Sequence, residues 1–393
     1  MLSPITIRYP FRPVCRSLIT GQVADLFGLD DTEWPHVVAE NVTLDIRPTD
    51  LVLFVGPSGS GKSSLLRAAG LQLAAVDAAT LVFPDRPLVE ALPGTVPERL
   101  AILAGCGLSE ARLLLRTPSE LSDGQRYRFR MAYAFALQSQ PILLDEFAAI
   151  LDRNLAKVLA FNLRKLVSRS GIGALVATTH EDLVDDLNPD VIVRCHGDGA
   201  IDVERHILKK KRIAFHDELW LSDGTRADWP HFARWHYRSH HLAFVRKVTL
   251  LWHLNVPIGI CIFSAPAASL TLRSQFFGLK NPRSSVALGA LNEQLWLLQR
   301  VVLHPTYRGA GIAAAFVRRA CEACPVAWIE TLSAMGQINP FFERAGFTRV
   351  GTIRKTRSSR QGAYGQRVSA ETQSKSAHSE PVYYVFDNRG REL

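Results

Sequence analysis

Two glycine-rich turns carry the residue types whose spacing points to chemistry. The first reads Gly56-Pro57-Ser58-Gly59-Ser60-Gly61-Lys62-Ser63-Ser64, after the apolar run LVLFV and at the start of a helical pattern. It fits a phosphate-binding loop, in which glycines let the backbone curl so that its N–H groups face phosphate oxygens. Gly56, Ser58, Gly59, Ser60, Gly61 and Ser64 then line the nucleotide, Lys62 reaches the β and γ phosphates, and the Ser63 hydroxyl takes a place on Mg²⁺. Asp145 and Glu146 end the apolar run PILLDE. One carboxylate there belongs near Mg²⁺, and the next can polarise an attacking water.

Three further segments accompany these. Leu121-Ser122-Asp123-Gly124-Gln125 lies upstream of the acidic pair, His180 in ATTHED lies downstream, and Asp152 follows in ILDR. Together with the loop and the acidic pair they resemble the ABC ATPases over residues of about 40 to 185. The resemblance implies ATP and Mg²⁺ as ligands, His180 as switch histidine and Asp152 as the intersubunit aspartate. It also implies a homodimer through the ATPase domains, in which Ser122, Gly124 and Gln125 of one copy face the γ phosphate held by the other. Two departures stand out. VFPDRP puts Pro84 or Asp85 where the family has a glutamine, and the stretch between Lys62 and Leu121 is short for a transporter subunit. Both favour a gating or mechanical ATPase over an importer or exporter component. Phe27 and Trp34 are the candidates to stack on adenine, with a core role open for either.

The second turn is Arg308-Gly309-Ala310-Gly311-Ile312-Ala313, between LQRVVLHPTY and a helical pattern. Small residues at a helix N-terminus let backbone N–H groups approach a pyrophosphate, and Arg308 adds charge. The segment resembles the acyl-CoA-binding motif of the GNAT superfamily of N-acetyltransferases, and INPFFERAGF resembles its second landmark. The implied fold is a small mixed sheet splayed at a bulge, with PVYYVFD as its last strand. The implied cofactor is acetyl-CoA or another acyl-CoA, contacted by Val302, Leu303, the turn residues 308–313, Asn339 and Phe342. Where many relatives carry a tyrosine to protonate the leaving thiolate, this chain has Phe341 and Phe342. The general base is unassigned among Glu293, His304 and Glu330. Histidines 231, 236, 240, 241 and 253 match no metal-site spacing. Cys321 and Cys324 have no second pair and read as structural.

These constellations require two domains. Strands at LVLFVG, PILLDEF and GALVATT, separated by helices, predict a parallel sheet with both faces covered, an α/β P-loop domain over residues 1–204. VTLLWHL, IGICIFSAP, LWLLQRVVL, AWIETL and PVYYVFD predict the mixed sheet of a second, α+β domain over 205–393, with a loop at about 354–379. His196 to Arg212, which mixes glycines, acids and a Lys/Arg run, is the expected boundary. At 393 residues, with 47% hydrophobic and 21% charged, the chain suits two globular domains, and no apolar run spans a bilayer. Scattered cysteines and the lack of a secretory leader predict a cytoplasmic protein.

Charge is uneven. Residues 1–204 carry 19 basic and 25 acidic side chains, net −6, while residues 205–393 carry 27 and 12, net +15. An electropositive second half points to a polyanionic partner, DNA or RNA, although a basic face can also serve only to solubilise. The wording of both landmarks and the fusion look most like the phage Mom DNA-modification proteins and bacterial ATPase-acyltransferase fusions. That similarity implies an amine on a nucleic-acid base as acceptor. Two alternatives stay open: a protein or small-amine acetyltransferase regulated by its ATPase, and a DNA-binding ATPase whose transferase domain is inactive.

Overall fold

The structure is a computed structural model that describes residues 2–9, 17–29, 36–137, 139–207, 212–236, 242, 244–279, 284–354 and 380–389. It divides into two compact units, residues 1–108 with 112–214, and residues 109–111 with 215–393.

The first unit is built on β3 (Leu51–Val55), β4 (Val76–Asp77), β5 (Ile142–Leu144), β6 (Ala174–Thr178), β7 (Val191–Gly197) and β8 (Ala200–Arg205), following the hairpin of β1 (Ile5–Tyr9) and β2 (His36–Val42). The sheet order is β4-β5-β6-β3-β7-β8, parallel except for the antiparallel edge strand β8. All five residues of β3 and of β6 are buried, the continuous apolar run that a strand covered on both faces requires. One face packs on the helices Val96–Gly105, Asp123–Leu137 and Arg153–Ser170 through Phe129, Met131, Leu159 and Leu163. The other packs on the helix Lys62–Gln72 through Leu65, Leu66 and Ala69.

The first part of the segment His196 to Arg212 is regular structure. Residues 191–205 form the β7–β8 hairpin, reversed at Asp198 (φ 48°) and Gly199 (φ 79°), and the units part after Ala214. Gly-Asp-Gly is a tight-turn signal, because both central residues adopt positive φ, and here it closes a hairpin. The basic run at 208–211, the histidines 240 and 241, Trp34 and the loop residues 355–379 lie outside the described residues.

The second unit carries one mixed sheet: β9 (Leu219–Gly224), β10 (Val245–His253), β11 (Val256–Ser264), β12 (Leu295–Leu303), β13 (Trp328–Ser333), β14 (Thr348–Thr352) and β15 (Val382–Asp387), in the order β14-β15-β13-β12-β11-β10-β9. Every neighbouring pair is antiparallel except β12 and β13. That parallel pair is in register over Leu295–Leu297 and Trp328–Glu330 alone, so the rest of β12 runs on without β13 beside it. The register of β12 on β11 slips between Ile262 and Phe263. Two helices, Thr271–Phe277 and Ser285–Gln294, precede β12. Among the described residues, no helix is long and apolar enough to cross a membrane.

Candidate functional sites

β3 ends at Val55 and delivers the turn to the helix Lys62–Gln72. Gly56, Gly59 and Gly61 all hold positive φ, at 151°, 80° and 89°. A Cβ on Gly56 would lie 2.0 Å from the Cys195 carbonyl oxygen, and one on Gly61 2.2 Å from Val38 Cγ1. Backbone curl and close packing together make these positions glycine. Lys62 Nζ donates to the Pro57 carbonyl at 2.6 Å, lying back over the turn, and burial lowers its pKa. Ser63 Oγ donates to Asp145 Oδ1 at 2.8 Å, and Arg67 pairs with Asp145 Oδ2 at 3.2 Å. The buried Ser60 hydroxyl has no partner among the described residues. A hydroxyl and a carboxylate brought together at the lysine are the hard oxygen donors Mg²⁺ takes, so the residues fit that ion.

Glu146 is exposed at φ 51°, with its N–H on Asp145 Oδ1. The turn is stapled to the end of β6. Phe147 N–H donates to the Ala177 carbonyl at 2.7 Å, Thr178 Oγ1 to the Phe147 carbonyl, and His180 N–H to Thr178 Oγ1. The acidic pair and His180 are therefore brought together at adjacent strand ends. Burial, helped by the Arg153 charge, lowers the His180 pKa. Arg153 is itself ion-paired with Asp182.

Ser122, Gly124 and Gln125 stand apart from this cluster, at the start of the helix Asp123–Leu137. The Ser122 N–H donates to Gln125 Oε1 at 3.1 Å and the Gln125 N–H points at Ser122 Oγ at 3.4 Å, a reciprocal cap. Asp152 caps the next helix, accepting from the Leu155 N–H at 3.0 Å. Pro84 and Asp85 line an open groove of about 320 Å³ with Phe83, Pro118, Ser119 and Arg126. Phe83 anchors that loop in an aromatic cluster with Phe129 and Tyr133.

Three residues here escaped sequence reasoning. The Tyr9 hydroxyl donates to Ser64 Oγ at 2.9 Å, bringing a half-exposed ring against the phosphate-loop helix, whereas Phe27 is 75% exposed on the helix Leu18–Phe27, none of whose residues is buried. Tyr127 accepts the Ala148 N–H at 3.2 Å and so ties the helix Asp123–Leu137 to the turn after Glu146. Arg67 is the third. A helical tally signals none of them, since each acts through a contact distant in sequence.

Similarity to known proteins agrees with this geometry. No protein-family model matches the chain. The lipoprotein-releasing ATP-binding protein LolD of Novosphingobium aromaticivorans is 32% identical over 198 residues, which is 40% of this chain and 88% of that protein. LolD of Maricaulis maris is 33% identical over 188 residues, 37% of this chain and 81% of that one. The sulfate/thiosulfate import ATP-binding protein CysA of Synechococcus elongatus is 30% identical over 196 residues, and the chain spans little more than half, 56%, of its length. A dimeric ATP-binding cassette bound to ADP and Pi is 19% identical over 54% of this chain and all of its own, at a TM-score of 0.37. Through its P-loop portion, the chain belongs to the ABC family of ATP-binding proteins.

In the second unit, Val302 and Leu303 are buried at the end of β12. The turn that follows holds Gly309 at φ 88° and Gly311 at φ 82°, with Gly311 capping the helix Ile312–Glu322. Ala310 and Ile312 are buried and Ala313 partly so. Arg308 donates to the carbonyls of Leu303 (3.0 Å) and Trp235 (3.3 Å), so its N–H groups hold the turn rather than project from it. Asn339 is exposed. Phe342 is buried in a ring cluster with Phe341, Phe347 and Tyr384, at centroid distances of 4.0, 5.3 and 5.4 Å, and is a core side chain.

The base candidates separate. Glu293 is exposed on its helix. His304 Nδ1 accepts from the Thr306 N–H and its ring packs on Trp235. Glu330 is buried and fully engaged: Arg273 meets it in a bidentate pair at 2.6 and 2.8 Å, and the Tyr383 hydroxyl donates to it at 2.9 Å. Both of its carboxylate oxygens are thus taken up by Arg273 and Tyr383. His231 and His236 sit in aromatic contacts with Phe232, Trp235 and Trp229. Cys321 and Cys324 are buried thiols whose pKa values burial raises.

Proposed function

We propose that the ATP-binding cassette is coupled, in the same chain, to an acyl-CoA-dependent N-acyltransferase acting on an amine of a nucleic-acid base. The observation that carries this reading is the seam in the second sheet. β12 and β13 pair over three residues, and β12 then runs on past their separation into the turn at Gly309–Gly311 and the start of a helix of 11 residues. An open edge between parallel strands accepts an extended pantetheine arm by strand-like hydrogen bonds. A helix N-terminus with two positive-φ glycines accepts a pyrophosphate. The donor supplies an activated thioester. The chain supplies the N–H groups of residues 311–313 at the helix start for the phosphates and the β12 edge for the arm. With Glu330 committed to Arg273, the proton from the amine leaves through water or a group on the acceptor as the amide bond forms, and with phenylalanine at 341 and 342 the departing thiolate of coenzyme A takes its proton from water.

In the cassette, Lys62 and the loop N–H groups hold the phosphates, Ser63 and Asp145 hold Mg²⁺, and Glu146 beside His180 orients the attacking water. Ser122, Gly124 and Gln125 lie at a separate helix start and complete a site only across a homodimer. Acyl transfer from a thioester needs no energy from ATP, so ATP controls access or conformation. The net charge of +15 over residues 205–393 supports a nucleic-acid acceptor. The engaged Glu330 favours one other reading, in which the second unit binds coenzyme A without transferring.

Incubating the protein with labelled acetyl-CoA, with and without ATP, and offering DNA, transfer RNA and protein, tests the proposal. Label in nucleic acid is expected. Label in protein alone overturns the acceptor, and no label with coenzyme binding intact supports the inactive reading.

A further inference from the structure

The second unit holds a chain of three polar side chains, two of them, Glu218 and His253, outside both landmark motifs. His253, the last residue of β10, is 5% exposed. Its Nε2 lies 2.8 Å from Glu218 Oε2 and its Nδ1 2.7 Å from the Tyr307 hydroxyl, partners 35 and 54 positions away in sequence. Phe215 covers both rings, at centroid distances of 4.7 Å to His253 and 5.5 Å to Tyr307. Glu218 is the one member that reaches solvent, at 45% side-chain exposure.

The order of donors follows from the partners. A carboxylate oxygen accepts, so Nε2 carries a ring proton towards Glu218; with Nδ1 bare, the Tyr307 hydroxyl donates to it, and that is the arrangement the proposal uses. Tyr307 is also the hub of the turn that leads to Gly309 and Gly311. Its N–H donates to the His304 carbonyl at 3.0 Å, and its own carbonyl faces the Ala310 N–H at 3.4 Å. Pinning the side chain therefore pins the backbone that leads into the helix start.

We propose that Glu218 and His253 are positioning residues: through the Tyr307 hydroxyl they hold the turn 307–311 in the conformation that receives the pyrophosphate of coenzyme A. This rests on the acyl-donor reading of that turn. Touching no ligand, they act by sparing the turn an ordering cost on binding, so their loss raises the donor's Kd and KM and leaves kcat unchanged.

The test is calorimetric titration of coenzyme A into the full chain, with KM and kcat for acetyl-CoA beside it. Y307F keeps the ring and removes the donor; it is expected to weaken coenzyme A about 10-fold. E218A, which lets the imidazole turn, behaves like Y307F. E218Q keeps an acceptor for the Nε2 proton and stays within about twofold of the wild type. Wild-type affinity in both Y307F and E218A overturns the proposal, as does a fall in kcat at unchanged KM. Should Y307F fail to fold, as near-ultraviolet circular dichroism would show, the E218A and E218Q pair decides. If the wild type does not bind coenzyme A, the acyl-donor reading fails. The relay is then judged by ¹⁵N-histidine NMR, in which His253, assigned by its loss in H253Q, shows the Nε2-protonated tautomer in the wild type and loses it in E218A. A wild-type His253 protonated on Nδ1 instead rejects the relay.

Discussion

Tyr9 and Glu146 show what single side chains contribute at the cassette. The Tyr9 ring is tied to Ser64, one residue beyond the Ser63 hydroxyl proposed for Mg²⁺, while Phe27 sits on an exposed helix. If Tyr9 stacks on the adenine, Y9A weakens ATP about 10-fold in a fluorescence titration, Y9F leaves it within about twofold, and F27A has no effect. Equal affinity in Y9A and the wild type would remove Tyr9 from the site. Glu146 stands at positive φ beside Asp145, stapled by Phe147 and Thr178 to the strand end that carries His180. E146Q is expected to lower ATP hydrolysis at least about 100-fold, the ordinary scale of a general base, with ATP binding retained. Loss of binding in parallel with hydrolysis would assign Glu146 to holding the nucleotide.

Elements set these side chains in place, and two glycines of the phosphate loop show by what means. At Gly61 the backbone is left-handed and a Cβ would run into Val38, whereas at Gly59 the backbone is equally left-handed and the space is open. G61A should therefore cost about 2–4 kcal/mol in urea unfolding and G59A about 1 kcal/mol, strain alone. Similar losses in the two variants would show that packing against β2 contributes nothing. In the second unit the helix Thr271–Phe277 is tied to β13 by the buried Arg273–Glu330 pair, whose remaining acceptor capacity Tyr383 meets. Removing one partner strands a buried charge. R273A should destabilise that unit by about 3–5 kcal/mol, against less than that for the double variant R273M/E330M, in thermal denaturation.

Stability of the whole molecule responds to pH through Asp186, which is 1% exposed at the end of the P-loop unit. Burial pushes its pKa up to about 6, although the Ala214 N–H at 2.7 Å and Lys157 favour the charged form; Oδ2 has no partner among the described residues. Its folded pKa exceeds that of the unfolded chain, so the native state binds the proton more tightly. Stability is then lost as pH rises from about 4 through about 6, by at most about 3 kcal/mol. D186N, which keeps the acceptor for Ala214, should unfold at higher temperature than the wild type at pH 7.5, and its melting point should vary less between pH 4 and 6. An unchanged or steeper pH dependence would clear Asp186 of that role.

Local chemistry made much of this protein legible before any coordinates. A phosphate loop must follow a buried strand and open a helix, an acidic pair must end one, and a continuous apolar run must be a covered strand, so β3, β5, β6 and the residues 56–64, 145 and 146 could be read directly. Other features depend on contacts between residues far apart in the chain. Those contacts put Tyr9 on Ser64, turned Gly-Asp-Gly from a boundary into a hairpin, buried Phe342 in the core and consumed Glu330 in an ion pair. They also joined Glu218, His253 and Tyr307. The motifs report what the backbone must do within a few residues, whereas the pairing of a charge or hydroxyl with its partner is decided where strands and helices pack.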